Sequence, residues 1–89
     1  MVRKHYIFHG RVQGVGFRVT LYQACMRLKL TGWVRNLYDG TVEACIQGDP
    51  DKIEQAIAYM YNTRYIRITQ TDVEDISVLP SEKSFDMKY

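Results

Sequence analysis

At 89 residues, with 46% apolar and 25% charged residues, the chain reads as one globular domain over 1–89, small enough that folding buries only about 60 to 65% of the unfolded surface. This composition excludes disorder, and a net charge of +2 falls well short of the basic excess of a domain built mainly to hold nucleic acid, leaving room for a local small-anion site. No run of about 18 apolar residues exists to span a membrane, and "MVRKHYIF" lacks a secretory signal's apolar stretch and cleavage site, so a cytoplasmic location with Cys25 and Cys45 as reduced thiols is expected.

Residues 4–12, "KHYIFHGRV", alternate with period two, placing Tyr6, Phe8, Gly10 and Val12 on one face and Ile7 and His9 on the other, which predicts a first strand. From Phe17 the period changes: Phe17, Leu21, Ala24, Cys25 and Leu28 fall at helical spacing. Gly32 to Tyr38 and Gly40 to Gln47 are two extended stretches joined by "NLYDGT", where Asp-Gly signals a hairpin because both residues tolerate positive φ. Asp49 and Pro50 are an N-cap and first-turn pair for a second helix through Ile53, Ala56, Ile57, Met60 and Tyr61, with Asn62 as its stop.

The β-branched "IRITQTDVEDISV" predicts a fourth strand, although Asp72, Glu74 and Asp75 leave its far end open as a solvated strand end. Phe85, Met87 and Tyr89 alternate as a short final strand after a polar loop. The order βαββαβ plus a closing strand is solved economically by a split βαβ arrangement: one antiparallel sheet with both helices on one face.

"GRVQGVGFR", Gly10 to Arg18, carries the chemistry. A strand that breaks at glycines and feeds straight into a helix leaves backbone N–H groups without intrahelical partners, and the helix dipole adds positive charge there. Arg18 in that first turn is disfavoured by about 0.3 to 1 kcal/mol relative to a cation at the other end. It either extends into water or meets a bound anion. No Lys-Ser or Lys-Thr follows the last glycine, as a P-loop requires, and the spacing of Gly10, Gly14 and Gly16 is not that of a dinucleotide turn.

"GRVQGVGFR" followed by "GWVRNLYDGTVEACIQGD" resembles the acylphosphatases, small hydrolases of carboxyl-phosphate anhydrides. The resemblance is close over about half the chain, from the first strand to the start of the second helix. It implies a ferredoxin-like α+β sandwich, in agreement with the element pattern. It also implies that Arg18 and the backbone amides of Gly14, Val15, Gly16, Phe17 and Arg18 grip the phosphoryl oxygens, while Asn36 positions the attacking water. The chain departs from the family after helix two, where Gly-Pro is common and "MYNTRYIRI" stands here, and at Tyr38, a hairpin position where a smaller residue is expected. Tyr38 is taken to narrow the site mouth and tune which acyl group enters.

The residues fit that reaction. Phosphoryl transfer asks for positioning and charge stabilisation more than covalent chemistry. Asn36 can orient water but cannot carry off its proton. No His, Asp or Glu stands in an obviously catalytic place, Asp39 being assigned to turn geometry. An acyl phosphate leaves as a carboxylate with a pKa of about 4 and needs no general acid, whereas an ester's alkoxide does.

No cofactor or metal is expected: His5 and His9 lie roughly 13 Å apart along a strand with no ligand partner foreseen, which suits a sheet-face role. Trp33 and the tyrosines are read as core or sheet-face area. If Val42, Ala44 and Ile46 face the helices, Cys45 points away from Cys25 and no disulfide forms. The expected partners are a small acyl phosphate, with inorganic phosphate or sulfate as competing anions, and the chain is expected to act as a monomer. The alternatives are an RNA-binding module of the same fold, faintly echoed by "VGFRV", and a non-catalytic regulatory relative.

Overall fold

The computed structural model describes residues 1–89. Strand β1 (Val2–Arg11) shows the expected alternation: Tyr6 and Phe8 are buried, their rings stacked at 5.3 Å. Phe8 also meets Phe17, the first residue of α1 (Phe17–Arg27), at 5.0 Å between ring centroids, so the start of the helix is fixed to the strand by aromatic packing. The apolar positions Phe17, Leu21, Ala24 and Cys25 face inward.

Helix α1 ends at Arg27, one residue before the last periodic position. Lys29 takes a left-handed φ of 58°, its N–H donates to Met26 O, and the Leu30 N–H donates to Cys25 O at 2.9 Å. This is the reverse turn that closes a helix C-terminus, made by a lysine where glycine is the usual residue.

Strands β2 (Thr31–Asn36) and β3 (Val42–Gly48) pair antiparallel, joined by a loop longer than an Asp-Gly turn implies. Only Gly40 has a positive φ there; Asp39 acts through its side chain, accepting from the Thr41 N–H at 3.0 Å and the Thr41 hydroxyl at 2.6 Å. Helix α2 (Pro50–Tyr61) starts as read, the Asp49 side chain accepting from the Asp51 N–H at 2.8 Å, and stops at Asn62.

Strand β4 (Arg67–Ile76) keeps Asp72, Glu74 and Asp75 inside its paired length rather than past its end. It is an edge strand, and its charges pair across to β1, His9 with Asp72 and Lys4 with Asp75, which shields the edge from other chains.

The sheet order is β4-β1-β3-β2 with β5 (Phe85–Met87) beside β2. The four long strands are antiparallel as expected. The β5 strand runs parallel to β2, so the complete sheet is mixed. Helix α1 packs on β2, β5 and α2, and α2 packs on β3, covering one face. Phe8, Leu21, Val34, Val42, Ala44, Ile46, Ile53, Ala56 and Met60 fill the space between, all fully buried.

Opposite this core, Arg3 is only 4% exposed; it bonds Glu82 at 2.7 Å, while Gln47 exchanges hydrogen bonds with the Leu79 backbone. Cys45 lies under this cover, across the sheet from core-bound Cys25, and both thiols are free. Burial pushes the Cys25 thiol up to about 12 and raises that of Cys45.

Candidate active site

The topology brings the C-terminal ends of β1 and β2 to the same end of the sheet as the first residues of β3 and β4. The loop Val12 to Gly16 crosses this end and enters α1. Gly16 is the N-cap, left-handed at φ 80°, with no side-chain cap and no acid in the first turn. Gly14 is left-handed too, at φ 74°, and nothing lies within 4 Å of where a Cβ would stand at either position. Glycine is therefore required there by backbone conformation and not by crowding.

No amide from Gly14 to Val19 donates a backbone hydrogen bond: 14–16 lie outside any strand, 17–19 have no acceptor a turn earlier, and the first helix bond is Thr20 N–H to Gly16 O at 3.0 Å. All of these residues except Val15 line a cleft of about 180 Å³ whose walls also include Val12, Asn36 and Tyr89. The structure thus brings Arg18 and Asn36 together with the glycine loop.

The Arg18 guanidinium does not stretch freely into water. Its Nη1 donates to the Lys88 carbonyl at 2.8 Å, and its carbon lies 4.9 Å from the centre of the exposed Tyr89 ring. One of five N–H donors is used, and four remain. Asn36 ends β2 on the helix-facing side, in line with Gly32 and buried Val34, and its side-chain amide makes no hydrogen bond within the protein.

Gln13 is a site residue that sequence reasoning missed. Its amide nitrogen donates to the Leu37 carbonyl at 2.7 Å and to the Thr41 carbonyl at 2.9 Å. It ties the glycine loop to the hairpin at the residue after Asn36. A glutamine inside a glycine-rich loop carries no local mark of partners 24 and 28 residues away.

Asp39 is confined to its turn. Hydrogen bonds from the Thr41 hydroxyl and N–H hold its carboxyl below the usual range, so it is ionised at neutral pH. The histidines lie on the open sheet face as expected, but each has a carboxylate partner that was not foreseen: His5 Nε2 meets Glu43 at 2.7 Å, and His9 Nε2 meets Asp72 at 2.8 Å. No three His, Cys, Asp or Glu side chains converge as a metal cluster. Tyr38 is fully exposed and lies beside Asn36, Gln13 and Tyr89 in a neighbouring cavity. The open face of β3 presents Glu43, Cys45 and Gln47, with no aromatic side chain of its own; Trp33 of β2 stands across from Cys45.

Comparison with known proteins identifies the family and the fold. The Acylphosphatase family model matches residues 4–87. An acylphosphatase of Thermococcus kodakarensis is 46% identical over 74 residues, covering 82% of this chain and 81% of the relative. One of Geobacillus thermodenitrificans is 38% identical over 90 residues, covering 100% and 96%. The crystal structure of acylphosphatase from Bacillus subtilis superposes with a TM-score of 0.92 at 31% identity, both chains covered in full. Thermococcus kodakarensis HypF superposes at 0.86 with 30% identity, matching all of this chain with 12% of that longer one.

Proposed function

The chain belongs to the acylphosphatase family and is an acylphosphatase, and from that premise we propose that Arg18 and the amides of Gly14, Val15, Gly16, Phe17 and Arg18 hold the phosphoryl group while Asn36 aims the attacking water. One observation carries this reading: unpaired amides, a guanidinium with four unused donors and an unpartnered asparagine amide border a single cleft.

A loose transition state spreads charge over three phosphoryl oxygens, and fixed N–H donors stabilise that charge without reorganising. The planar guanidinium spans two oxygens, with Lys88 O holding it in place. The Asn36 amide oxygen accepts from water and leaves the proton to the substrate's own phosphoryl group. The same reading takes residues 1–89 as one domain, acting as a cytoplasmic monomer without metal or cofactor, with inorganic phosphate and sulfate as competing anions. No helix is long and apolar enough to cross a membrane.

Benzoyl phosphate hydrolysis tests these roles. Arg18→Ala and Asn36→Ala should each lower kcat by about 10²- to 10³-fold, as loss of a transition-state donor does, and Arg18→Lys should not restore it. Phosphate and sulfate should inhibit the wild type competitively, and a chelator should leave its rate unchanged. Equal rates in wild type and both alanine variants would overturn the assignment.

A further inference from the structure

The cradle opens on two sides that differ in chemistry. Toward the hairpin, a cavity of about 630 Å³ holds Gln13, Asn36, Tyr38 and Tyr89. Toward β4, a cavity of about 590 Å³ shares Gly14 and Val15 with the cradle loop and is edged by Arg11, Arg64, Tyr65 and Arg67. In phosphoryl transfer the entering and leaving oxygens lie roughly in line through phosphorus. With water at Asn36, the acyl group departs on the side away from Asn36. In the sheet order β4-β1-β3-β2, Arg11 and Arg67 end the β1–β4 pair on the side of the cradle loop away from Asn36 of β2, so that is the arginine side.

Resting on the roles given above to Arg18 and Asn36, we propose that the Arg11, Arg64 and Arg67 pocket is the acyl subsite, and that it favours acyl phosphates whose acyl chain ends in a second anion, a carboxylate or a phosphate.

The arginines are placed at a cost that a bound anion relieves. Arg11 and Arg67 are direct partners across the antiparallel β1–β4 pair, where like charges oppose each other unfavourably. None of the three joins an ion pair or makes a side-chain hydrogen bond, although five ion pairs form elsewhere in the chain. No Asp or Glu lines this cavity or the cleft beside it. With Arg18, four of the seven arginines surround Gly14.

The backbone is shaped to the same end. The pairing of β1 with β4 shifts between His9 and Gly10, and a Cβ at Gly10 would overlap the Arg67 carbonyl oxygen. This bulge lets β4 begin hard against β1 and sets Arg67 beside Arg11 at the rim of the cradle. Arg64 and Tyr65, whose ring lies 5.4 Å from the Arg64 guanidinium carbon, complete the wall. They belong to "MYNTRYIRI", the stretch where this chain departs from the family pattern.

Three substrates test the pocket: acetyl phosphate with an uncharged chain, succinyl phosphate ending in a carboxylate, and phosphoglycoloyl phosphate ending in a phosphate. The wild type should prefer one or both charged-chain substrates, the larger gain identifying the anion. Arg64→Ala combined with Arg67→Ala should cut kcat/KM for the preferred substrate about fivefold, mainly through KM, and change acetyl phosphate by less than about twofold. The preference should fade as salt is raised. Removing Arg67 relieves the opposition to Arg11, so the thermal midpoint of the variant should not fall.

An equal fall for all three substrates, or no change for any, overturns the subsite. So does a preference that follows Tyr38→Ala instead, since that places the acyl chain on the hairpin side. If Asn36→Ala is silent, the catalytic roles fail first; if it is crippling while the arginine variant keeps the wild-type preference, the subsite alone fails.

Discussion

Gln13 offers the sharpest test of how the loop and the hairpin work together. Gln13→Ala removes two hydrogen bonds, at 2.7 Å to Leu37 O and 2.9 Å to Thr41 O. Neither carbonyl is orphaned, because Leu37 O still accepts from Gly40 N–H at 3.3 Å and Thr41 O from Leu37 N–H at 2.9 Å. The cost is therefore that of the bonds alone, about 1 to 2 kcal/mol together. For a domain of this size that lowers the thermal midpoint by about 4 to 15 °C. Activity should fall further than this loss explains, measured well below the new midpoint where the variant is folded. Leu37 follows Asn36 directly, so on the role proposed for Asn36 the clamp sets the distance from the water-positioning amide to the cradle, and a misplacement of about 1 Å can cost up to about 10²-fold in rate. The expected pattern in benzoyl phosphate kinetics is a fall in kcat of at least about tenfold, with inhibition by inorganic phosphate unchanged because the cradle amides stay in place. A variant that melts earlier but keeps its kcat would show that Gln13 only braces the fold. A rise in KM and in the phosphate inhibition constant at constant kcat would show that it shapes the cradle instead.

Two further outcomes follow from side chains away from the cleft. Lys29 holds a left-handed φ of 58° to close α1, so Lys29→Gly should stabilise the protein by about 1 kcal/mol, seen as a higher urea midpoint at unchanged m. For Glu43, burial raises the carboxyl pKa, but hydrogen bonds from His5 and Arg35 outweigh it and the net shift is downward. A depressed carboxylate stabilises the fold above its unfolded value and loses that contribution as pH falls through the folded one. The midpoint of Glu43→Gln should thus lie below that of the wild type at neutral pH, and the gap should narrow as pH falls below the ordinary carboxylate range.

The parts of the molecule legible in its sequence are those decided locally. Tyr6 and Phe8 alternate because one face of β1 is buried, and Asp49-Pro50 starts α2 because an acceptor and a fixed φ suit a helix entrance wherever they occur. Arg18 stood out because its charge opposes the end of the helix it occupies. The misread features depend on contacts distant in sequence or on competition within a turn. The hairpin is longer than Asp-Gly suggests because Asp39 spends its side chain on Thr41. The direction of β5 rests on Gly32 N–H to Ser84 O and Lys88 N–H to Val34 O, bonds that no local pattern announces. The partners of His5 and His9 arrive from β3 and β4, 38 and 63 residues along the chain.

The carboxylates explain why the reaction is confined to activated phosphates. Asp39, in the hairpin that follows Asn36, is the acid nearest Asn36 in sequence, and the Thr41 hydrogen bonds keep it ionised, so it has no proton to give a leaving group at neutral pH. No His, Asp or Glu lines the cleft. A leaving oxygen must then depart as an anion, which a carboxylate with a pKa of about 4 can do and an alkoxide cannot. On the roles proposed for Arg18 and Asn36, that anion forms on the side of the phosphorus away from Asn36, and a carboxylate needs no proton to hold its charge there.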